Sequence, residues 1–466
     1  MEENDHYQDL TFRDRMSTVD GQGKRVRIFP KKPAGKLYGF RRIVAYVLLL
    51  FFYAAPHIRI QGEPLILLDF AQRTFVIFGF PFYPQDFHLL VLSFILLVVF
   101  IIFFTVIYGR LFCGWVCPQT VFMEFLYRPV EYLIDGNRKK QVELAKQEMN
   151  PVKAFKRAVK HLVFILISFF TILTFLSYII GTRKTGDLLA GWPLTNFTGF
   201  VLVLFFTTAH YFVFSWFREQ VCTIVCPYGR LQGVMLDNNT ILVAYDYKRG
   251  EPRAKGKEGV KGDCIDCNNC VEVCPTGIDI RNGTQLECIN CTACIDACNR
   301  VMKNLKKPGG LIRHASEKSI SEGSTIRFNA RAIAYSAVLG ILLMVVGYLF
   351  AVRGNIEVTL IRSQGTMFQE YGETKYSNLY NLQMVNKTRL VVDAEIKLLS
   401  PAGEIMVIGD PLRADRGEVC KRNLLIIIDK GTLKSSNTPI EAGIFIKGEL
   451  FEKISSTFVG PNALDK

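Results

Sequence analysis

Long apolar runs are the feature that most restricts what this chain can fold into. A helix needs about 20 predominantly apolar residues to cross the hydrocarbon core of a bilayer. Four runs reach that length, at residues 89–108, 158–180, 197–217 and 330–352. A fifth run, residues 43–55, is short by itself but extends back to Leu37, so we count it as a span. The sequence therefore predicts a bundle of about five transmembrane helices.

Basic residues in the loops predict the orientation of the spans, because cytoplasmic loops carry an excess of Lys and Arg. The segments 1–42, 109–160 and 218–329 hold 10, 10 and 16 of these residues, whereas 56–88 and 181–196 hold 2 each. This alternation puts the N-terminus in the cytoplasm and the C-terminal part on the far side. The basic blocks flank apolar runs, so the net charge of +14 indicates membrane topology and not nucleic-acid binding.

The pattern of spans and polar segments divides the chain into five parts. We predict a cytoplasmic N-terminal segment (1–36), a four-span membrane region (37–235), a cytoplasmic domain (236–328), the last transmembrane helix (329–352) and a domain on the far side (353–466). The last part has short strand-like runs with turn residues between them. Its length fits an all-β immunoglobulin-like sandwich, with a jelly-roll or a barrel as alternatives. Cys420 is expected to be a buried free thiol there.

Eight of the 13 cysteines form two motifs in the predicted cytoplasmic domain. "CIDCNNCVEVCP" and "CINCTACIDACN" both have the spacing C-x2-C-x2-C-x3-C, which is that of bacterial ferredoxins with two [4Fe–4S] clusters. In that arrangement three nearby thiolates bind one cluster and the fourth Cys binds the other. The predicted ligands are Cys264, Cys267, Cys270 and Cys298 for one cluster, and Cys288, Cys291, Cys294 and Cys274 for the other.

Zinc is the alternative, since paired C-x2-C also marks zinc sites. A zinc site rarely needs four cysteines within eleven residues, twice over. Small and amide-bearing residues around the motifs also leave backbone N–H groups free for hydrogen bonds to sulfur. The cytoplasm is reducing and disfavours structural disulfides. The sequence thus favours iron–sulfur clusters.

Two further cysteine pairs lie at the cytoplasmic ends of the second and fourth predicted spans. "CGWVCP" contains Cys113 and Cys117, and "CTIVCP" contains Cys222 and Cys226. Residues i and i+4 of a helix have Cβ atoms about 5–6 Å apart, which is wider than the roughly 3.5–4.5 Å of a disulfide. A metal bridging two thiolates tolerates that gap. The proline after each pair is expected to end one helix and begin the next.

Four soft sulfurs at one depth suit Cu(I) or a redox-active thiol pair, while the alternative is that each Cys is a small buried apolar residue. The segments "QTVFMEFLYRPVEYL" and "YGRLQGVML" are expected to continue along the membrane surface as amphipathic helices. Arg110, Arg218 and Arg230 lie near the thiols. We expect them to reach lipid headgroups, although their charge could instead lower the pKa of the thiols.

These segments resemble the cytochrome c oxidase accessory proteins of the CcoG/FixG/RdxA type. The resemblance rests on "FREQVCTIVCPYGRLQGVMLDNNTILVAYDYKRGEPR", on the two ferredoxin motifs, and on "RTFVIFGFPFYPQDF" and "GRLFCGWVCPQTVFMEFLYRPVE". It extends from about residue 26 to the end of the chain, with the parts in the same order. The CxxxCP pairs alone are shared with membrane ferredoxins that oxidise quinol.

The resemblance implies a polyferredoxin of the bacterial inner membrane, with its last domain in the periplasm, that reduces Cu(II) to Cu(I) for assembly of a cbb3-type haem–copper oxidase. The chain would then be a cupric reductase that handles a copper ion at Cys113, Cys117, Cys222 and Cys226. The implied partners are a cytoplasmic electron donor, membrane lipid, a copper chaperone or exporter, and oxidase assembly factors. Two alternatives stay open: a quinol-oxidising electron-transfer subunit, and a cluster-bearing sensor or assembly scaffold without catalysis.

Overall fold

The computed structural model of the chain describes residues 17–461, except for 20–21, 23, 61, 72–73, 83–85, 192–195, 254–261, 324–329, 355, 364, 366–367, 389, 416 and 434. Residues 1–16 of the predicted N-terminal segment therefore lie outside the described residues. The chain divides into two compact units, Met1–Val346 and Gly347–Lys466.

Five helices of the described chain are long and apolar enough to cross a membrane. In chain order these are spans 1 to 5: Lys36–Ala54, Phe87–Tyr108, Pro151–Ile180, Phe197–Phe217 and Ala332–Ala351. Span 1 has 19 residues, so the short apolar run becomes a full-length candidate span. Large apolar side chains such as Phe94, Phe205 and Met344 are exposed on these helices, as expected of surface that lipid covers. The chain is a multi-pass membrane protein.

The segment after span 2 packs among the spans. It forms four short helices, of which the third is a π-helix: Leu111–Trp115, Pro118–Phe122, Met123–Tyr127 and Arg128–Ile134. Its apolar residues are buried together with residues of spans 1, 3 and 4: Val121, Phe122, Met123, Phe125, Tyr127, Ala45, Leu49, Phe164 and Phe214. The expectation of a helix along the membrane surface is wrong here, because the apolar residues of this segment pack against the spans and its charged residues Glu124, Arg128 and Glu131 have ion-pair partners inside the protein.

The ferredoxin motifs lie between two paired strands. Leu242–Tyr245 runs antiparallel to Ile312–Ala315, and the helices Asn269–Glu272 and Ala293–Asn304 lie between them in the sequence. An apolar core that includes Val243, Met302 and Leu311 joins strands and helices. Because the strands close around both motifs, the eight cysteines are held within one small domain of the first unit.

The remaining short elements of the first unit connect these parts. Between spans 1 and 2 the strands are Arg59–Ile60, Glu63–Pro64, Ile66–Asp69, Thr74–Ile77 and Phe80–Phe82. The other helices are Arg138–Lys146, Thr182–Ala190, Val221–Val225, Pro227–Met235, Tyr247–Gly250, Ile280–Asn282 and Glu317–Glu322.

The second unit contains two antiparallel sheets packed face to face. The first sheet has the order Gly403–Ile408, Val419–Asp429, Lys375–Asn386, Ile356–Arg362, with Gln369–Tyr371 added beside Lys375–Asn386. The second has the order Leu412–Ala414, Val392–Ser400, Asn437–Ile446, Glu449–Val459. Alternate residues of both sheets form one apolar core, which is the pattern of a sandwich. Cys420 is a buried free thiol in it, as predicted.

Candidate functional site

The eight cysteines of the two ferredoxin motifs line two cavities. One cavity is lined by Cys264, Cys267, Cys270 and Cys298. The other is lined by Cys274, Cys288, Cys291 and Cys294, with Cys270 at its border. The structure thus brings together the two sets of four cysteines that the spacing groups as ligands, including the fourth Cys of each motif at the cavity of the other.

The backbone of both motifs turns at the same positions. Asp266 and Asn268 in the first motif, and Asn290 and Thr292 in the second, have positive φ angles between 51° and 65°. Asn and Asp tolerate this left-handed conformation better than most residues. Residues that alternate between right- and left-handed conformations direct successive N–H groups to one side, a concave arrangement that binds anions and iron–sulfur groups. The local sequence therefore shapes a cavity suited to a negatively charged group.

The described residues hold no ready-made site for a single metal ion, either at the cavities or at the CxxxCP thiols. Among the described residues, no three side chains of His, Cys, Asp or Glu converge on one ion position. A zinc ion requires its sulfur ligands about 2.3 Å from the metal. The cavities therefore do not form a ready-made zinc site, and they fit a group that is several atoms across.

Burial favours the protonated form of three of these thiols. It raises the pKa of Cys270 and Cys288 to about 12 and that of Cys298 to about 11. Because the thiolate is the metal ligand, ionisation must accompany the binding of iron.

The two CxxxCP loops follow breaks in the helices. Span 2 ends at Gly109 with φ 57°, and span 4 ends at Arg218 with φ 46°. The second Cys of each pair is extended, with ψ 125° at Cys117 and 109° at Cys226, and the next helix begins with proline. The predicted helix breaks are confirmed, and they leave all four thiols half-buried.

The structure also brings the two CxxxCP pairs together. Burial, together with smaller contributions from the neighbouring thiols of Cys117 and Cys226, raises the pKa of Cys113 and Cys222 to about 12. The Cys113 thiol donates a hydrogen bond to Oε1 of the fully buried Gln232 at 3.1 Å. These thiols are protonated at neutral pH, so they differ from the activated thiolates of disulfide oxidoreductases.

Two of the neighbouring arginines are buried and do not reach lipid headgroups. Arg110 donates to the carbonyl oxygens of Leu286 and Gly229. Arg218 forms an ion pair with Glu131 at 2.8 Å. The expectation is wrong for both, because backbone carbonyl groups and a buried carboxylate offer partners inside the protein. The side chain of Arg230 lies outside the described part of the chain.

Arg128 connects the three parts of the site. Its guanidinium forms ion pairs with Glu124 at 2.9 Å and with Glu219 at 2.5 Å, and all three side chains are buried. It also donates to the carbonyl oxygen of Pro275 at 3.1 Å. Glu124 follows the first CxxxCP pair, Glu219 precedes the second and Pro275 belongs to the first ferredoxin motif. In the sequence, Glu124 and Arg128 form a charged i, i+4 pair within an apolar segment, and this pattern could have indicated a buried ion pair.

The first CxxxCP loop contacts the loop of the second ferredoxin motif. Cys113 packs against an apolar group that contains Ile289 and Cys291. Nε1 of Trp115 donates to the carbonyl oxygen of Asn290 at 3.3 Å. A β-carbon at Gly114 would overlap the Ile289 carbonyl oxygen and lie 3.1 Å from the backbone nitrogen of Cys291. Glycine is thus required for this close approach, a role that the sequence pattern did not reveal.

Comparison with known proteins places this arrangement in a family. RdxB of Cereibacter sphaeroides is 34% identical over 439 residues, which are 88% of this chain and 90% of RdxB. The chain belongs to the FixG/RdxA family. RdxA of the same organism is 33% identical over 80% of this chain and 84% of its own. The nitrogen fixation protein FixG of Rhizobium meliloti is 36% identical over 63% of this chain and 58% of its own.

Three family models match parts of this FixG/RdxA chain. A "4Fe-4S dicluster domain" matches residues 217–317, and a "4Fe-4S binding domain" matches residues 90–141. The "IG-like fold at C-terminal of FixG" matches residues 346–461, so the sandwich is immunoglobulin-like. Taken with the five spans, these matches make the chain a membrane-bound 4Fe–4S electron-transfer protein.

Proposed function

We propose that this protein transfers an electron from a cytoplasmic reductant to Cu(II) at the four thiols of the CxxxCP loops. The donor loses one electron and Cu(II) becomes Cu(I), while the thiols that bind the copper ion release their protons to solvent. The observation that carries the proposal is the direct contact of Cys113 and Gly114 with the loop that contains Cys291. This contact joins the copper thiols to the ferredoxin motifs without an intervening element.

The residues present fit two [4Fe–4S] clusters. Cys264, Cys267, Cys270 and Cys298 would hold one, and Cys274, Cys288, Cys291 and Cys294 the other. When bound, such clusters supply one-electron transfer. The four thiols at each cavity and the left-handed residues beside them support this ligand assignment.

The CxxxCP thiols favour the reduced state of copper. Thiolate is a soft ligand that binds Cu(I) in preference to harder ions. Because burial raises the pKa of Cys113 and Cys222 to about 12, copper must displace their protons when it binds. The prolines that follow each pair fix the second Cys of each loop in an extended conformation. Because no three thiols converge on one ion position among the described residues, the sulfurs must move closer together to bind one copper ion.

We further propose the orientation and the partners that the basic loops and the family resemblance favour. The ferredoxin motifs face the cytoplasm, and the immunoglobulin-like domain lies in the periplasm of a bacterial inner membrane. Cu(I) passes to a copper chaperone or exporter for assembly of a cbb3-type oxidase. The immunoglobulin-like domain binds an assembly factor.

The test is a single-turnover reduction of copper. Protein is reduced anaerobically, separated from the reductant and mixed with Cu(II) and a dye that binds Cu(I). A Cys113→Ser/Cys117→Ser variant should keep its iron but lose Cu(I) formation, whereas the control Cys420→Ser keeps both. A serine variant that retains both clusters and full Cu(II) reduction overturns the proposal. Oxidised protein whose clusters are reduced by added quinol would instead support a quinol-oxidising subunit.

A further inference from the structure

Arg41 is a buried charge within span 1. Its side chain is fully buried, and its Nε donates to the carbonyl oxygen of Gly114 at 2.6 Å. The guanidinium carbon lies 5.0 Å from the centroid of the Phe125 ring. Within the described residues, neither Nη1 nor Nη2 has a hydrogen-bond partner. Arginine stays charged in proteins and carries five N–H donors, so these groups need an acceptor.

Gly114 places Arg41 beside the second ferredoxin loop. Gly114 contacts the backbone of Ile289 and Cys291 so closely that a β-carbon would not fit. Arg41 is therefore adjacent to the loop that carries Cys291. Among the described residues Arg41 forms no ion pair with a carboxylate, so its charge is available to a negatively charged group at Cys291.

We propose that Arg41 is a positioning residue for the cluster that Cys274, Cys288, Cys291 and Cys294 would hold, and that its Nη groups donate to the sulfur atoms there. The inference rests on the proposed presence of that cluster. Hydrogen bonds to sulfur and a nearby positive charge favour the reduced, more negative state of an iron–sulfur group. Arg41 thus raises the reduction potential at this cavity above the value it would otherwise have.

This arrangement gives direction to electron transfer. The cavity next to Gly114 is the one in contact with the first CxxxCP loop, and Arg41 binds that loop through the Gly114 carbonyl. A higher potential there draws the electron toward the copper thiols. In the sequence Arg41 counted only as a basic residue at the start of a span. Its neighbour Arg42 is exposed, as expected of a basic residue that flanks a span.

The test compares Arg41→Met and Arg41→Lys with the control Arg42→Met. Each full-length protein is purified anaerobically, its iron is counted, and both clusters are titrated with redox mediators while their EPR signals are followed. In Arg41→Met the one-electron reduction constant of one cluster should fall about tenfold or more, which is about 59 mV. The other cluster should not change. Arg41→Lys keeps the charge, so the reduction constant of the affected cluster should fall less than in Arg41→Met. Arg42→Met should match the wild type.

A second measurement uses the wild type alone, in case Arg41→Met does not fold. Pulsed EPR of reduced protein labelled with 15N-arginine should detect a guanidinium nitrogen coupled to a cluster. Unchanged potentials in an iron-replete Arg41→Met protein, or no such coupling, overturn the inference. A fall in Arg41→Lys as large as that in Arg41→Met overturns the role of the charge. Wild-type protein without two clusters would refute the proposed function itself. Wild-type protein that holds both clusters but fails to reduce copper would refute only the copper step, and the inference about Arg41 would stand.

Discussion

The substitution Gly114→Ala tests whether the contact between the CxxxCP loop and the ferredoxin loop matters. The added methyl group would meet the Ile289 carbonyl oxygen and the Cys291 backbone nitrogen. Both atoms belong to the backbone, so no flexible side chain can move away. Restoring an ordinary van der Waals separation requires a displacement of about 1 Å.

The energetic cost follows from that displacement. Overpacking of this kind destabilises a protein by about 1–3 kcal/mol. The shift also weakens the hydrogen bonds from Trp115 to Asn290 and from Arg41 to Gly114, each with a net contribution of about 1 kcal/mol. Because electron transfer slows as donor and acceptor move apart, the same displacement also slows transfer between the two loops. We therefore expect slower Cu(I) formation together with a lower unfolding temperature.

The control for this experiment is Gly39→Ala, because nothing lies within 4 Å of a β-carbon placed at Gly39. Both variants are purified anaerobically, and their iron content, thermal unfolding and single-turnover Cu(I) formation are compared with the wild type. Gly39→Ala should match the wild type in all three. If Gly114→Ala also matches it, the contact between the two loops has no role in stability or electron transfer, and the reasoning fails.

Three further predictions follow from buried groups. Arg128→Met leaves two buried glutamates without a cation, which should cost about 3–5 kcal/mol and appear as a lower unfolding temperature than that of Arg42→Met. Cys298→Ser and Cys274→Ser should each remove one cluster and leave the other, as measured by iron content and EPR; loss of neither cluster would contradict the ligand assignment. In metal-free protein, the rate of Cys113 alkylation, measured by mass spectrometry, should rise about tenfold per pH unit from pH 7 to 10, because its pKa of about 12 keeps the thiolate scarce. A plateau in this rate near pH 9 would refute the prediction.

The features that sequence reasoning predicted are encoded locally. Span length depends only on the number of consecutive apolar residues, and the two ferredoxin motifs are defined by spacing within twelve residues. The helix breaks at Pro118 and Pro227 follow from the geometry of proline itself. Each of these signals is complete within one stretch of the chain, which is why the structure agrees with them.

The features that were missed depend on what lies opposite a residue. Gly114 and Ile289 are far apart in sequence, and nothing in "CGWVCP" indicates that a carbonyl approaches the glycine. Arg41 and Arg110 are basic residues near span ends, and the same letters describe a side chain that reaches lipid or one that is buried. Only the folded arrangement supplies the carbonyl groups that receive these guanidinium groups.

The breaks after spans 2 and 4 repeat one local backbone geometry. Gly109 and Arg218 have closely similar backbone angles, with φ 57° and ψ −133° against φ 46° and ψ −115°, and each precedes a CxxxCP loop and a helix that begins with proline. The chain therefore contains two versions of one building unit, and each contributes half of the sulfurs. Each turn lies four residues before the first Cys of its pair, so both loops leave their spans with the same local geometry.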